Sequence, residues 1–124
     1  MDEAARLFER RHGDRQDRVR SRAGGWNASG KFETNDFVGQ ARQALANIVA
    51  VLAEAGGQPE DILRLTWYVV DKHEYLACSR PLGLTYRQVL GNHYPAMTAV
   101  QVAALVEDGA KVEIEATAVI PEPL

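Results

Sequence analysis

The residues best suited to acid–base chemistry are two glutamates near the end of the chain. Glu113 and Glu115 alternate with apolar residues along Val112–Pro121. Because side chains alternate between the two faces of a strand, both carboxylates lie on one face. A carboxylate in a cleft can act as a general base on water or hold a substrate nitrogen. The alternative is a solvated sheet face, on which the glutamates pair with Lys111 or Arg64 across strands.

Other catalytic side chains lack a supporting pattern. His12, His73 and His93 do not stand at a spacing that binds a metal together with a cysteine or a second histidine. The single cysteine, Cys78, has no nucleophile motif around it and is interpreted as a small helix residue. The chain also has no glycine-rich phosphate loop and no serine nucleophile elbow. The sequence therefore predicts no metal site.

The first element expected to position the glutamates is a helix that begins after residue 36. Asn35 or Asp36 caps it, and Gly56 ends it because glycine adopts the left-handed cap conformation easily. Apolar residues recur every three or four positions and form one helix face. These residues are Val38, Ala41, Leu45, Ile48, Leu52 and Ala55.

A strand and a second helix follow. The strand is predicted over Ile62–Val70, where β-branched and aromatic residues dominate. The helix is predicted from Asp71 to about Gly91, and we expect Pro81 and Gly83 to interrupt and bend it.

Two more strands complete the order α-β-α-β-β. They are predicted over Met97–Leu105 and Val112–Pro121, joined as a hairpin by the turn at Asp108 and Gly109. A strand, helix and strand in succession indicate a crossover, so the expected fold is α+β, with a mixed sheet and two helices on one face. The opposite face of the sheet also carries Val and Ala side chains that must be shielded from water. Another subunit could shield them, so we expect an oligomer.

The composition is that of one globular domain. The chain has 124 residues, of which 46% are hydrophobic and 25% are charged. A net charge of -3 argues against a nucleic-acid partner, since proteins that bind nucleic acids usually carry an excess of basic residues. No apolar run is long enough for a membrane span, and no segment is typical of a signal peptide. With a single cysteine, a reducing cytoplasmic location is expected.

From about Asp36 to Pro121 the chain resembles the RidA/YjgF family of reactive-intermediate deaminases, also known as L-PSP-type proteins. The segments that carry the resemblance are QARQALANIVAVLAEAGGQPEDILRLTWYVVD, YPAMTAVQVAALV and VEIEATAVIP. The resemblance implies a chorismate-mutase-like fold and a homotrimer with sites in clefts between subunits. It also implies hydrolysis of enamines or imines to ketones and ammonia without a cofactor, a form of metabolite damage control.

The site residues implied by the resemblance are only partly kept. The family motif Pro-Ala-Arg-Ser/Thr reads Pro95–Thr98 here, so Met97 replaces the arginine that grips the substrate carboxylate. Losing that pair should weaken binding of a 2-imino acid by roughly 2 to 4 kcal/mol. Glu113 matches the family glutamate and is the expected catalytic residue, whereas a frequent asparagine aligns near Gly83 and is absent. The residues expected to contact the substrate are Tyr94, Met97, Thr98, Ala99 and Val100.

The N-terminal segment departs most from the family. Residues 1–25 hold seven of the 14 basic residues, all arginine, and precede a RidA-like domain over 26–124. We expect a short helix over 2–11 and coil over 12–25. The first strands of the sheet would then be lost, and one sheet edge would be unpaired.

A frameshift is one explanation for this segment. When the codons are read one nucleotide later, permitted codons give family-like motifs for Arg6–Arg10 and Arg18–Ala23. The normal frame would resume at Trp26. The nucleotide sequence decides this hypothesis.

Three functions stay open, all with a small-molecule partner. The first, which we favour, is hydrolysis of an enamine or imine that lacks a carboxylate, with Glu113 positioning water. The second is a non-catalytic trimer that binds a small molecule in an apolar cleft beside Met97. The third is 2-imino acid deamination in which Arg64, Lys111 or Arg80 replaces the missing arginine.

Overall fold

A computed structural model describes residues 9–13, 16–25 and 34–121. Its elements are β1 (Glu9–Gly13), β2 (Gln16–Gly24), α1 (Phe37–Glu54), a 3₁₀ turn (Pro59–Asp61), β3 (Ile62–Val69), α2 (Lys72–Ala77), α3 (Ser79–Leu90), β4 (Ala96–Gln101) and β5 (Val112–Pro121). The strands form one mixed sheet in the order β1-β2-β5-β3-β4. This architecture confirms the predicted α+β class.

Helix α1 begins and ends where the sequence predicts. The Asp36 carboxylate caps the helix by accepting a hydrogen bond from the backbone N–H of Gly39 at 2.8 Å. Gly56 follows the last turn with a φ of 83°, a conformation that glycine adopts without strain. The predicted apolar face packs on the sheet, and Leu45 and Ile48 are fully buried.

One polar residue of α1 was not anticipated in the core. Gln40 is fully buried, and its amide nitrogen donates to the carbonyl oxygens of Thr34 and Gly109 at 3.0 and 2.9 Å. Its amide oxygen accepts from the backbone N–H of Lys111 at 2.8 Å. Two of these bonds hold backbone groups of the turn that leads into β5, and the bond to Thr34 holds the segment before α1.

Strands β3 and β4 are parallel and joined by α2 and α3, which confirms the predicted crossover. The helical segment breaks at Cys78 rather than at Pro81 and Gly83. In one continuous helix the ring of Pro81 would clash with the carbonyl of Ala77, four residues earlier, so the chain breaks before the proline. Gly83 lies inside α3.

The last two strands do not form the predicted hairpin. Strand β3 lies between them, parallel to β4 and antiparallel to β5. Gly109 does adopt a turn conformation, with a φ of 85°, but it belongs to the longer connection from Gln101 to Val112. Strand β4 ends before the predicted Leu105 because Val69, the last residue of β3, already pairs with Gln101.

The expected loss of the first strands is wrong. Strands β1 and β2 form an antiparallel pair, and β2 pairs with β5 along nine residues, from Gln16 opposite Pro121 to Gly24 opposite Glu113. The expected helix is replaced by strand at 9–11, whereas residues 2–8 lie outside the described part. The edge of β5 is therefore paired.

The missed signal in β2 is a period of two. Arginines at 18, 20 and 22 alternate with Val19, Ser21 and Ala23. These three smaller residues hold the register positions opposite Ala118, Ala116 and Ile114 of β5. Ala23 is fully buried, so the end of β2 continues the apolar face of the sheet at this position.

The two sheet faces differ as the alternation in β5 predicts. The face under the helices carries the buried side chains of Val112, Ile114, Ala116, Ala118 and Ile120. The other face, called the open face below, carries Thr66, Tyr68, Glu113, Glu115, Thr117 and Val119, all half-buried. An oligomer that covers the open face stays a prediction. None of the helices in the described residues is long and apolar enough to cross a membrane.

Candidate active site

A cleft of about 380 Å³ lies between α2 and α3 on one side and strands β3 and β4 on the other. This volume suits a small organic molecule. The lining side chains are mostly apolar or aromatic. They are Trp67, Tyr75, Leu76, Ser79, Leu82, Gly83, Tyr86, Arg87, Tyr94 and Met97.

The cleft brings together two positions that the family resemblance singled out. Met97 lies on the β4 wall, where its side chain is 42% exposed, and Gly83 lies on the α3 wall. The register of β4 explains the direction of Met97, because Met97 pairs with Leu65, whose side chain faces the helices. Tyr94 also lines the cleft, and its predicted contact with the substrate stays a prediction.

The predicted catalytic carboxylate is on the other face of the sheet. Glu113 pairs with Tyr68, and both side chains belong to the open face. Within one protomer, Glu113 and Met97 therefore point away from each other. The sequence alone did not show this separation, because the two residues stand on strands whose relative register was unknown.

The remaining predicted contacts divide between the two faces. Thr98 and Val100 alternate with Met97 and so belong to the open face, where Val100 lies across Tyr68 from Glu113. Ala99 shares the helix-side face with Met97 and pairs with Trp67, but it does not line the cleft. All six residues of β4 are exposed along this edge of the sheet.

Two stacked tyrosines form one end of the cleft. The rings of Tyr86 and Tyr94 lie 5.3 Å apart and are inclined by 16°. The Tyr86 hydroxyl donates to the carbonyl oxygen of His93 at 2.6 Å. The Nε2 atom of His93 in turn lies 2.7 Å from the carbonyl oxygen of Ile62, which can only accept, so this nitrogen carries the proton.

Burial, with a smaller contribution from Tyr94, raises the pKa of Tyr86 to about 12. An unfolded tyrosine titrates near 10, so the native state keeps the proton that the unfolded state loses between pH 10 and 12. We expect the free energy of unfolding to fall as pH rises through this window. Denaturant unfolding at pH 9 and 11 measures the fall, which should be smaller in Tyr86→Phe. Equal pH dependence in the two proteins would contradict the assignment.

The cations suggested as substitutes for the family arginine do not line the cleft. Arg64 is exposed and pairs with Ala96, which places it on the face away from Met97. Lys111 is engaged with Glu74, whose Oε2 atom lies 3.4 Å from its Nζ atom. Arg80 is exposed near the start of α3 and is absent from the lining.

The charged residue that does line the cleft was not identified from the sequence. It is Arg87, on the same helix as Gly83 and one turn further along. No motif marks this arginine, because its role depends on how α3 packs beside β4. The spacing of four residues from Gly83 is the one signal that could have linked it to the site.

The comparison with known proteins assigns the chain to a family. The family described as Endoribonuclease L-PSP matches residues 17–120. The chain belongs to this RidA/YjgF family. The match begins inside the arginine-rich segment and includes most of β2.

Curated relatives of this RidA/YjgF chain include deaminases. The 2-iminobutanoate/2-iminopropanoate deaminase of Escherichia coli K12 is 37% identical over 87 residues, which cover 68% of this chain and 64% of that protein. A RutC family protein of Pasteurella multocida is 36% identical over 84 residues, with the same coverage. The chain thus spans less than two thirds of the length of these relatives, 64% in both cases.

Solved structures of the family share the fold. RidA from an Antarctic Psychrobacter species superposes with a TM-score of 0.72 at 30% sequence identity. The match covers 90% of this chain and 85% of the Psychrobacter chain. The TdcF structure of Escherichia coli with bound serine has a TM-score of 0.72 at 27% identity, with coverages of 89% and 84%.

Proposed function

We propose that this chain is a hydrolytic deaminase of a reactive imine or enamine that has no carboxylate beside the imine carbon. The observation that carries the proposal is the shared cleft of Met97 and Gly83. Met97 stands where the family resemblance expects the arginine that holds the carboxylate of a 2-imino acid, and the frequent asparagine of the family aligns near Gly83. Since a thioether and a hydrogen atom replace them, this part of the cleft favours an uncharged substrate group.

The chemistry requires one general base. Water adds to the carbon of the C=N bond, and the C–N bond of the resulting carbinolamine then breaks to give a ketone and ammonia. The base moves one proton from the attacking water to the imine nitrogen as the carbinolamine forms. It then moves the hydroxyl proton of the carbinolamine to the same nitrogen, which leaves as ammonia. Glu113 is the proposed base, because the family resemblance assigns the catalytic role to this carboxylate.

Because Glu113 lies on the sheet face away from the cleft of its own protomer, the proposed site requires the cleft of a second protomer. Glu113 lies on β5, two strands in from the edge strand β4, at roughly 10 Å from that edge. A protomer packed against the open face would bring its own β4 edge and cleft towards this carboxylate. The proposed site is therefore completed at a subunit interface, in agreement with the expected homotrimer.

A second candidate function is binding without catalysis. It is favoured by the lining of the cleft, which among the described residues contains no carboxylate and no histidine. Such a protein would hold a small apolar molecule without converting it. Ligand binding would then raise the melting temperature with no product formed.

Ammonia release by the purified protein tests the proposed function. An amine oxidase generates a neutral ketimine from its amine in the assay mixture, and the ketone and the ammonia are both measured. We expect a saturable acceleration over buffer and equal amounts of the two products. Thermal stabilisation by the amine or ketone without acceleration would support the binding protein, and the absence of both effects would contradict both functions.

A further inference from the structure

The cleft contains a cation that the proposed chemistry does not use. Among the described residues that line it, Arg87 is the one charged side chain. The others offer apolar or aromatic surface, apart from the hydroxyl groups of Ser79 and the tyrosines. An isolated guanidinium in such surroundings is suited to an anion, because it presents five N–H donors in a rigid planar group.

Gly83 leaves space for this guanidinium. Residues four apart lie on one face of a helix, so the Arg87 side chain folds back towards Gly83. A β-carbon placed on Gly83 would lie 3.7 Å from the Nη1 atom of Arg87. A methyl group would fit at that distance, but an asparagine side chain would extend into the place of the guanidinium. An asparagine at residue 83 and this position of the Arg87 guanidinium would therefore exclude each other.

Arg87 has no protein anion to neutralise it within the described part of the chain. Two other basic residues do have partners: Lys111 pairs with Glu74, and the Nη2 atom of Arg42 donates to Gln88 at 2.5 Å. Arg87 is exposed to solvent at the cleft mouth, so its charge is available without the cost of complete burial.

The indole N–H of Trp67, a residue that lines the cleft, also lacks an acceptor among the described residues. The indole of Trp67 is 2% exposed, and its Nε1 atom has no hydrogen-bond partner among the described residues. Buried N–H groups are nearly always paired in folded proteins. This N–H is buried, so the exposed Arg87 is the charged donor that a ligand in the cleft can reach.

We propose that Arg87 selects substrates with an apolar or aromatic body and an anionic group remote from the imine carbon. The inference rests on the proposed function, since it describes the substrate of the same cleft. The anion is bound from the helix wall, opposite the β4 wall on which Met97 replaces the family arginine. Arg87 is a specificity-determining residue in this arrangement, and it takes no part in proton transfer.

Equilibrium binding of unreactive probes tests this proposal without any turnover. The probes are 4-phenylbutanoate and its amide, which share the apolar body and differ in charge. We expect the wild-type protein to bind the carboxylate about 5- to 30-fold more tightly than the amide, as measured by titration calorimetry. Equal affinity for the two probes, or binding of neither, would overturn the proposal.

Variants locate the source of the preference. Arg87→Gln should abolish it, Arg87→Lys should retain part of it, and Gly83→Asn should reduce it by displacing the guanidinium. Arg80→Gln is the matched control, because Arg80 is an exposed arginine of the same helix outside the cleft. A preference that persists in Arg87→Gln would refute the role of Arg87. A carboxylate preference without ammonia release from any imine would instead reject the proposed function alone.

Discussion

Replacing Met97 by arginine is expected to increase kcat/KM for 2-iminobutanoate about 30- to 1000-fold. The new guanidinium would form a charge-assisted, bidentate pair with the substrate carboxylate. Met97 is 42% exposed on an edge strand, so a longer side chain fits without disturbing the core. The same exposure favours the lower end of the range, because solvent screens part of the attraction. Coupled detection of ammonia gives the rate.

Met97→Leu is the control for this experiment. Leucine keeps the apolar character and approximate volume of methionine, so the variant should behave as the wild type towards 2-iminobutanoate. A folded Met97→Arg protein with no gain on this substrate would show that the cleft does not hold the imine as proposed.

Replacing Glu113 by glutamine is expected to lower kcat for a neutral imine by about 10²- to 10⁴-fold, the usual contribution of a general base. KM should change little, since glutamine preserves the shape of the side chain and the residues that line the cleft are unchanged. Steady-state kinetics on the purified variant separates the two parameters.

Glu115→Gln provides a matched control on the same strand. Glu115 is half-buried on the open face, two residues from Glu113, so any general effect of removing a charge there should appear in both variants. We expect Glu115→Gln to keep most of the activity. Equal losses in the two variants, or no loss in either, would remove Glu113 as the base.

The elements after residue 36 could be predicted because local signals agreed with tertiary packing. Asp36 caps α1, Gly56 ends it, and the alternation in β5 separates the buried face from the open face. The position of β3 between β4 and β5 could not be predicted from these signals. A turn at Gly109 permits a hairpin but does not decide whether the flanking strands pair with each other or with a third strand.

The N-terminal strands were missed because the arginines dominated the composition. Alternation of arginine with Val19, Ser21 and Ala23 is a strand pattern, although a charged one. The register of β2 against β5 shows that this sequence can continue the sheet in its own frame. The frameshift hypothesis for residues 1–25 concerns the nucleotides and stays a prediction, which the sequence of the gene would test.

The candidate site was only partly predictable for a geometric reason. Family resemblance identified Met97 and Gly83, and the structure brings both to one cleft. Arg87 carries no motif, and its position against Gly83 depends on the packing of α3 and on its side-chain conformation. The separation of Glu113 from Met97 follows from strand register, which the sequence left undetermined.

The substrate selectivity of the wild-type protein tests the central claim most directly. The measurement is kcat/KM for 2-iminobutanoate and for the matched imine that lacks its carboxylate, under identical conditions. We predict a preference of about tenfold or more for the imine without the carboxylate, because a carboxylate beside the apolar Met97 wall loses hydration without gaining a pair. Arg87 lies on the opposite wall of the cleft, on helix α3. Faster hydrolysis of 2-iminobutanoate by the unmodified protein would contradict the account.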